Sequence, residues 1–275
     1  MVTASGMEPN RTVLRAYDRS VLAASAANEV LARAAAANQT AWMARIAEAA
    51  GGVVRRERGV TWMASPAGAV LAFPRLSRER LDAVLGWFLE SARTAPEASC
   101  WSLLPTQPPT LDATLRAAGF REGWQANWMA LDLGAELGRV APDGVRVEVV
   151  EQEWAPTDLP WDGAGIASVR ERLATARPRR VWHVGAWRGR EPVGHATLNV
   201  TTGRLGVAGI YDIGVSGNER RRGIGRALTV AALDLGRAAG VLDRDPERDA
   251  RGRSAVPDAR IPLRRPRPDV LAVTG

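Results

Sequence analysis

The segment between residues 210 and 240 constrains the fold and function of this chain more than any other part of the sequence. The run Ile210–Val215 predicts a strand, and Leu228, Ala231 and Leu235 recur at the spacing of an amphipathic helix. Between them lies an arginine- and glycine-rich loop, Arg220–Arg226. Glycines let the backbone fold closely around a ligand, and the amides and dipole of a helix N-terminus favour negative charge. The segment therefore predicts an anion-binding site suited to phosphate groups.

Two common phosphate-binding motifs are excluded. The chain contains no lysine, so it cannot carry the P-loop pattern GxxxxGK[ST]. Leu228 stands where a GxGxxG dinucleotide fingerprint requires its last glycine.

The positive charge of the chain does not indicate nucleic-acid binding. All 37 cationic residues are arginine, against 30 acidic residues, which gives a formal net charge of +7. The arginines are scattered and are not gathered into basic runs with aromatic partners. We expect no nucleic-acid partner.

The strand, turn, loop and helix around residue 220 resemble the central motif of the GNAT superfamily of N-acetyltransferases. That motif is an apolar strand followed by [RQ]-x-x-G-x-[GA], which Arg220, Gly223 and Gly225 match, with Val215 five residues before the arginine. The resemblance implies that loop amides hold the pyrophosphate of acetyl-CoA, and that main-chain groups of the strand pair with its pantetheine arm. The cofactor contacts it implies are Ile213, Val215, Arg220, Arg221, Arg222, Gly223, Ile224, Gly225 and Arg226.

The activity implied by this resemblance is transfer of an acetyl group from acetyl-CoA to a primary amine, without a metal. Asp212 is the candidate for deprotonating the incoming ammonium, and the alternative is an ordinary aspartate near a strand end. The family's usual general-acid tyrosine is missing, because Tyr17 and Tyr211 are the only tyrosines and Tyr211 is expected to be a packing aromatic. A catalytically impaired CoA-binding or regulatory protein is therefore the alternative function.

The chain is predicted to be α/β (α+β), with two GNAT-like halves that each hold a mixed, mainly antiparallel sheet flanked by helices. In the first half, Leu115–Phe120 and Trp128–Leu131 resemble the closing helix and strand of a GNAT unit. This half lacks the arginine/glycine loop before its helix at Arg78, so we interpret it as degenerate and unable to bind cofactor. The predicted divisions are 1–133 for this half, 134–144 for a linker, 145–241 for the acetyl-CoA-binding domain and 242–275 for a tail.

The tail departs from the family pattern. A GNAT domain would continue after Gly240 with an apolar strand, a helix and a final hairpin. The last 35 residues here contain 8 arginines, 6 acids, 5 prolines and no aromatic residue. Such a composition predicts a disordered or mostly irregular segment, in which only Val270–Val273 offers a short apolar stretch.

The remaining composition excludes several other classes of protein. One cysteine, Cys100, cannot form an internal disulfide, and two histidines, His183 and His195, leave little for a metal site and are expected to be structural. No apolar run reaches membrane-spanning length, and the first twenty residues lack the apolar core of a secretory signal. We expect a cytoplasmic protein whose acceptor is a small-molecule or peptide amine, with the oligomeric state left open.

Overall fold

The computed structural model of the chain describes residues 28–57, 59–103, 108–123, 128–131, 138, 142–150, 166–241 and 270–274. These residues form two β-sheets with helices packed against them. Among the helices in these ranges, none has the length and apolar character needed to cross a membrane.

The first sheet belongs mainly to the first half of the chain. Its strand order is β1-β2-β3-β4-β10-β5, and β3 and β4 are parallel while the other neighbours are antiparallel. Helix α2 packs on one face, where Phe88, Leu85 and Val84 join the core. The elements are α1 (Asn28–Ala49), β1 (Val53–Glu57), β2 (Val60–Ser65), β3 (Gly68–Ala72), α2 (Arg78–Thr94), β4 (Ala98–Leu103), α3 (Leu111–Ala117), β5 (Arg121–Glu122) and β10 (Val270–Thr274).

The second sheet is antiparallel throughout and has the order β6-β7-β8-β9. Helix α5 packs on one face through Ile224, Leu228 and Ala232, against Val184 and Ala196 of the sheet. The elements are β6 (Val145–Val150), α4 (Ile166–Thr175), β7 (Val181–Arg188), β8 (Glu191–Val200), β9 (Ala208–Val215), a short 3-10 turn (Gly217–Glu219), α5 (Ile224–Gly236) and a π-helical turn (Arg237–Val241).

The predicted fold class is confirmed, with differences at the ends of elements. The structure has an α/β architecture in two halves, with sheets that are mainly antiparallel. The closing strand expected over Trp128–Leu131 is wrong, because residues 128–131 form no strand. A two-residue strand, β5, forms just before that segment, where the chain leaves the closing helix at Gly119 with a φ of 92°.

The last strand also differs from the expectation of an irregular tail. Strand β10 lies between β4 and β5 of the first sheet, with Val270 opposite Leu103 and Thr274 opposite Ser99. The apolar stretch Val270–Val273 forms a strand at this place because an exposed strand edge offers free backbone donors and acceptors. It adds nothing to the second sheet. Residues 242–269 lie outside the described part of the chain.

Helix α1 joins the two sheets. Its alanines Ala44 and Ala47 pack on Met63 and Ala72 of the first sheet. Trp42, on the same helix, packs with Val181 of the second sheet and with α4. The alanine-rich sequence allows this close approach on both sides.

A buried asparagine fixes α1 on the second sheet. Asn38 is 1% exposed, and its Nδ2 donates to the carbonyl of Val207 at 2.9 Å and to Thr201 Oγ1 at 3.0 Å. Its Oδ1 accepts from Asn199 Nδ2 at 3.1 Å and from the Tyr211 hydroxyl at 2.6 Å. Both ends of the amide are thus satisfied without water.

Replacing Asn38 with alanine is expected to lower the free energy of unfolding by about 3 kcal/mol or more. The substitution removes one partner of the buried Asn199 amide and the acceptor of the part-buried Tyr211 hydroxyl, and each such lost partner costs about 1–3 kcal/mol. Denaturant unfolding followed by circular dichroism measures the effect. Glu48→Gln, on the same helix, removes only an exposed ion pair with Arg56 and should cost less than about 1 kcal/mol. A loss at Asn38→Ala no larger than at this control would contradict the assigned role.

Candidate functional site

The connection between β9 and α5 presents backbone amides in one direction. Two residues there have left-handed conformations, Arg221 with a φ of 60° and Gly223 with a φ of 84°. The first helical bond runs from Ala227 N to the Gly223 carbonyl at 3.0 Å, and no side chain caps the helix. The amides of Ile224, Gly225 and Arg226 therefore have no acceptor within the helix and point out of its N-terminus. Such a terminus favours an anion.

Four arginines surround this helix start, and they are not equivalent. Arg220 donates from Nε to the Val215 carbonyl at 3.1 Å, and Arg222 lies 3.7 Å from Glu219. Among the described residues, Arg221 and Arg226 have no ion-pair partner, and both are exposed. These two guanidinium groups are free to bind a phosphate in the fork geometry that arginine favours.

An ion pair holds the turn before the loop. Arg188, at the end of β7, donates from Nε and Nη2 to the two oxygens of Glu219 at 3.0 and 2.8 Å. The Glu219 side chain is almost buried, and the hydrogen bonds from Arg188 keep the pKa of this carboxyl below its ordinary value. Arg188 also donates to the Asp143 carbonyl at 3.3 Å. The ion pair thus connects the loop, the β7–β8 hairpin and the segment before β6.

Strand β9 presents an edge that no described strand pairs with. Ser216 N donates to the Val193 carbonyl at 2.9 Å, which fixes the phase of the ladder with β8. Because antiparallel strands alternate between bonded and non-bonded pairs, the main-chain groups of Val215, the residue before Ser216, face away from β8. The Val215 carbonyl accepts a hydrogen bond from Arg220, so the Val215 N–H is the group left directed at the open edge.

A β-bulge interrupts β9 at the predicted catalytic residue. Thr197 lies opposite Tyr211 and His195 opposite Gly214, so Asp212 and Ile213 together face a single residue of β8. Asp212 has a φ of 52°, a left-handed conformation that aspartate tolerates better than most residues. Asp212 is exposed and Ile213 is 47% exposed. Bulges of this kind re-aim side chains and are frequent beside functional sites.

Tyr211 and the two histidines lie in the packed face of the second sheet. Tyr211 stacks on Trp42 with ring centroids 5.5 Å apart, and burial raises the pKa of its hydroxyl above the ordinary value. His183 Nδ1 lies 3.2 Å from Thr197 Oγ1, and burial, with the nearby Arg170, lowers the pKa of His183 to about 3. His195 Nε2 lies 3.4 Å from Arg170 Nη2. The contacts of these three residues are all within the packed part of the sheet. The described part of the chain holds no cluster of three potential metal ligands.

The structure brings together all the loop residues that the sequence predicted, and it adds two. Arg220 to Arg226 surround the helix start, and Ile213 and Val215 line the adjacent open edge. Arg188 and Glu219 were missed, because they are 31 positions apart and neither belongs to the motif. The available signal was the acid Glu219, which stands directly before three arginines. In the structure Glu219 is buried and paired.

Comparisons with known proteins point to one family. The model of the acetyltransferase (GNAT) family matches residues 147–248. A GCN5-related N-acetyltransferase from Kribbella flavida has a similar structure, with 18% identity, a TM-score of 0.50, and coverage of 90% of this chain and 95% of that chain. A tandem GNAT protein from the clavulanic acid biosynthesis pathway matches at 16% identity, with a TM-score of 0.44, over 70% of this chain and 72% of that chain. A search of curated proteins gave no match. The Kribbella flavida structure shows a shared fold over most of both chains.

Arg188→Met and Glu219→Gln are each expected to lower the midpoint of thermal unfolding, and the double variant should be little less stable than either. The reason is that both substitutions break the same two hydrogen bonds and leave the remaining group partly buried without its partner. Differential scanning calorimetry of the four proteins measures the coupling. Arg93→Met, which breaks an ion pair exposed on both sides, should leave the midpoint unchanged. Strictly additive losses would contradict the coupling.

Proposed function

Because residues 147–248 carry a GNAT acetyltransferase domain, we propose that this chain transfers an acetyl group from acetyl-CoA to a primary amine. The observation that carries the proposal is the uncapped N-terminus of α5, ringed by arginines and adjacent to the open edge of β9. One surface thus offers both phosphate ligands and main-chain partners for an extended ligand.

The donor set fits a pyrophosphate. The amides of residues 224–226 converge at the helix start, and Arg221 and Arg226 add two guanidinium groups without ion-pair partners among the described residues. Amides that are fixed before binding lose little conformational freedom, so their contacts contribute more to affinity. The pantetheine arm would then lie along β9 and pair with main-chain groups of Val215 and Ile213, as an added strand does.

This orientation brings the thioester toward the bulge at Asp212. The amine nitrogen attacks the thioester carbonyl carbon, the carbon–sulfur bond breaks, and the proton that the nitrogen loses on becoming an amide passes through water to the leaving thiolate. Asp212 accepts the proton that the ammonium must lose before attack, directly or through a water. A backbone amide freed from the ladder by the bulge would donate to the developing oxyanion.

Tyr211 does not supply the final proton in this scheme. Its hydroxyl donates to Asn38, and its ring is stacked in the packed face of the sheet. Tyr17, the other tyrosine, lies outside the described residues. We therefore assign protonation of the thiolate to water.

Among its described residues, the first half offers no comparable open place between neighbouring strands. Strands β3 and β4 stay paired along their length, and Phe73 N donates to the Trp101 carbonyl at 2.6 Å where they end. The rings of Trp101 and Trp128 lie 6.4 and 5.7 Å from that of Phe73 and fill this place. The contacts support one acetyl-CoA site per chain, with the first half in a structural role.

The proposal extends to the acceptor and the compartment. The acceptor that we propose is a small-molecule or peptide amine, which can reach Asp212 because this residue is exposed. A reducing compartment such as the cytoplasm suits the chain, because its one cysteine is a buried thiol whose pKa is raised to about 12 by burial.

Gly225→Asp is expected to weaken acetyl-CoA binding at least tenfold, or about 1.4 kcal/mol, without destabilising the fold. A Cβ at this position meets only Val215 Cγ2 at 3.9 Å, and an acid in the first turn favours the helix. The carboxylate would nevertheless occupy and repel the pyrophosphate. Isothermal titration calorimetry measures the affinity, and Gly86→Asp, at an open glycine of α2, is the control. Unchanged affinity in folded Gly225→Asp would remove the pyrophosphate assignment. Gly223 is less suitable because any side chain there is strained at a φ of 84°.

Asp212→Asn is expected to lower kcat at neutral pH about 10²-fold or more, with acetyl-CoA affinity unchanged. Asparagine has the same shape and also tolerates a positive φ, so the bulge is retained while the base is lost. Release of CoA thiol with a panel of primary amines measures the rate. An unchanged kcat would make Asp212 a structural residue of the bulge.

Donor binding without thiol release from the unaltered protein would favour the alternative, a CoA-binding regulatory protein.

A further inference from the structure

A cavity in the first half lies apart from the proposed acetyl-CoA site. It has a volume of about 370 Å³ and lies between the edge strand β1 and helix α2, in the other sheet from β9. This volume is within the usual range of about 300–1,000 Å³ for small-molecule sites. Its lining is Arg55, Glu57, Trp62, Trp87, Glu90 and Ser91.

Two hydrogen-bond donors of neighbouring strands line the cavity. Trp62 is 8% exposed, and its buried indole Nε1 has no acceptor among the residues that the structure describes. Buried indole N–H groups normally find one, so its absence calls for an explanation. Arg55 lies directly opposite Trp62 in the β1–β2 ladder, and it has no ion-pair partner among the described residues. Directly paired residues have Cβ atoms about 5 Å apart, so one carboxylate can accept from both side chains.

Two carboxylates also line the cavity. Glu57 lies two residues after Arg55 on the same face of β1, and Glu90 projects from α2. Each is bonded through Oε2 to a neighbouring arginine, at 3.2 Å from Arg80 and 2.7 Å from Arg93. A carboxylate has about four acceptor positions on its two oxygens, so each can also accept from an ammonium group.

The lining also includes an exposed aromatic side chain. Trp87 is 46% exposed on α2, one turn before Glu90 and Ser91. An indole ring at a cavity mouth offers a flat apolar surface for stacking and an electron-rich face for a cation.

We propose that this cavity binds an α-amino acid with an aromatic side chain. The carboxylate would accept from the Trp62 indole N–H and the Arg55 guanidinium, the ammonium would donate to Glu57 and Glu90, and the aromatic ring would pack on Trp87. This ligand satisfies the buried N–H and matches both signs of charge. The proposal does not depend on the acetyltransferase activity.

Isothermal titration of the full chain with L-phenylalanine, in the absence of acetyl-CoA, tests the proposal. Phenylalanine should bind, and 3-phenylpropionate, which lacks the ammonium, and phenethylamine, which lacks the carboxylate, should each bind at least tenfold more weakly. Absence of binding at 10 mM phenylalanine, taken as roughly the weak limit of a specific site, would overturn the proposal. Equal affinity for either analogue would also overturn it.

Two variants test the location. Trp62→Phe keeps an aromatic ring but removes the N–H, and Arg55→Gln removes the charge from an exposed strand position that the core does not need. Each should weaken phenylalanine binding at least tenfold and leave acetyl-CoA affinity unchanged. Arg56→Gln is the matched control, because Arg56 is the next residue, is paired with Glu48 and does not line the cavity. Unaltered phenylalanine binding in both variants would place the ligand elsewhere and overturn the assignment.

Discussion

The reciprocal hydrogen bonds between Asn38 and Asn199 are the interaction on which the arrangement of the two halves depends. Asn199 donates from Nδ2 to both the carbonyl and the side-chain oxygen of Asn38, and Asn38 donates back to the Asn199 carbonyl at 3.2 Å. Arg45, whose pKa is lowered to about 10 mainly by burial, donates to the other end of the Asn199 amide. Buried polar groups such as these are hydrogen-bonded only when α1 and β8 lie in one relative position. The pairing therefore fixes how α1 lies on the sheet that carries β9.

Helix α1 also supports the bulge in β9. Tyr211 is held by Asn38 and Trp42, and the next residue is Asp212 with its left-handed backbone. A local strain of this kind persists only where the surroundings over-determine it. The first half thus contributes to the proposed active site without touching a ligand, because it supplies the surface that anchors the residue before the bulge.

The features that the sequence could predict are those whose residues lie close together along the chain. The strand, loop and helix around Gly223 are contiguous, so propensity and motif were sufficient to predict these elements and to propose an anion site at them. The pairs Arg188–Glu219 and Asn38–Asn199 depend on residues 31 and 161 positions apart, and no local pattern marks them. Glu219 lies in a turn beside three arginines, and its burial accompanies its pairing with Arg188 at the end of β7. The bulge at Asp212 also has no local sequence signal, because it depends on how β9 pairs with β8.

Strand β10 has a consequence for how the chain is divided. The polypeptide leaves the second sheet at the end of α5 and returns to the first, where Val270–Thr274 separates β4 from β5. The halves are therefore interleaved along the sequence, and no single cut between them yields two complete sheets. A first half ending at residue 133 would lose the strand that β5 pairs with, and the free edge of β4 would be exposed. In this molecule the final residues of the second half are part of the fold of the first.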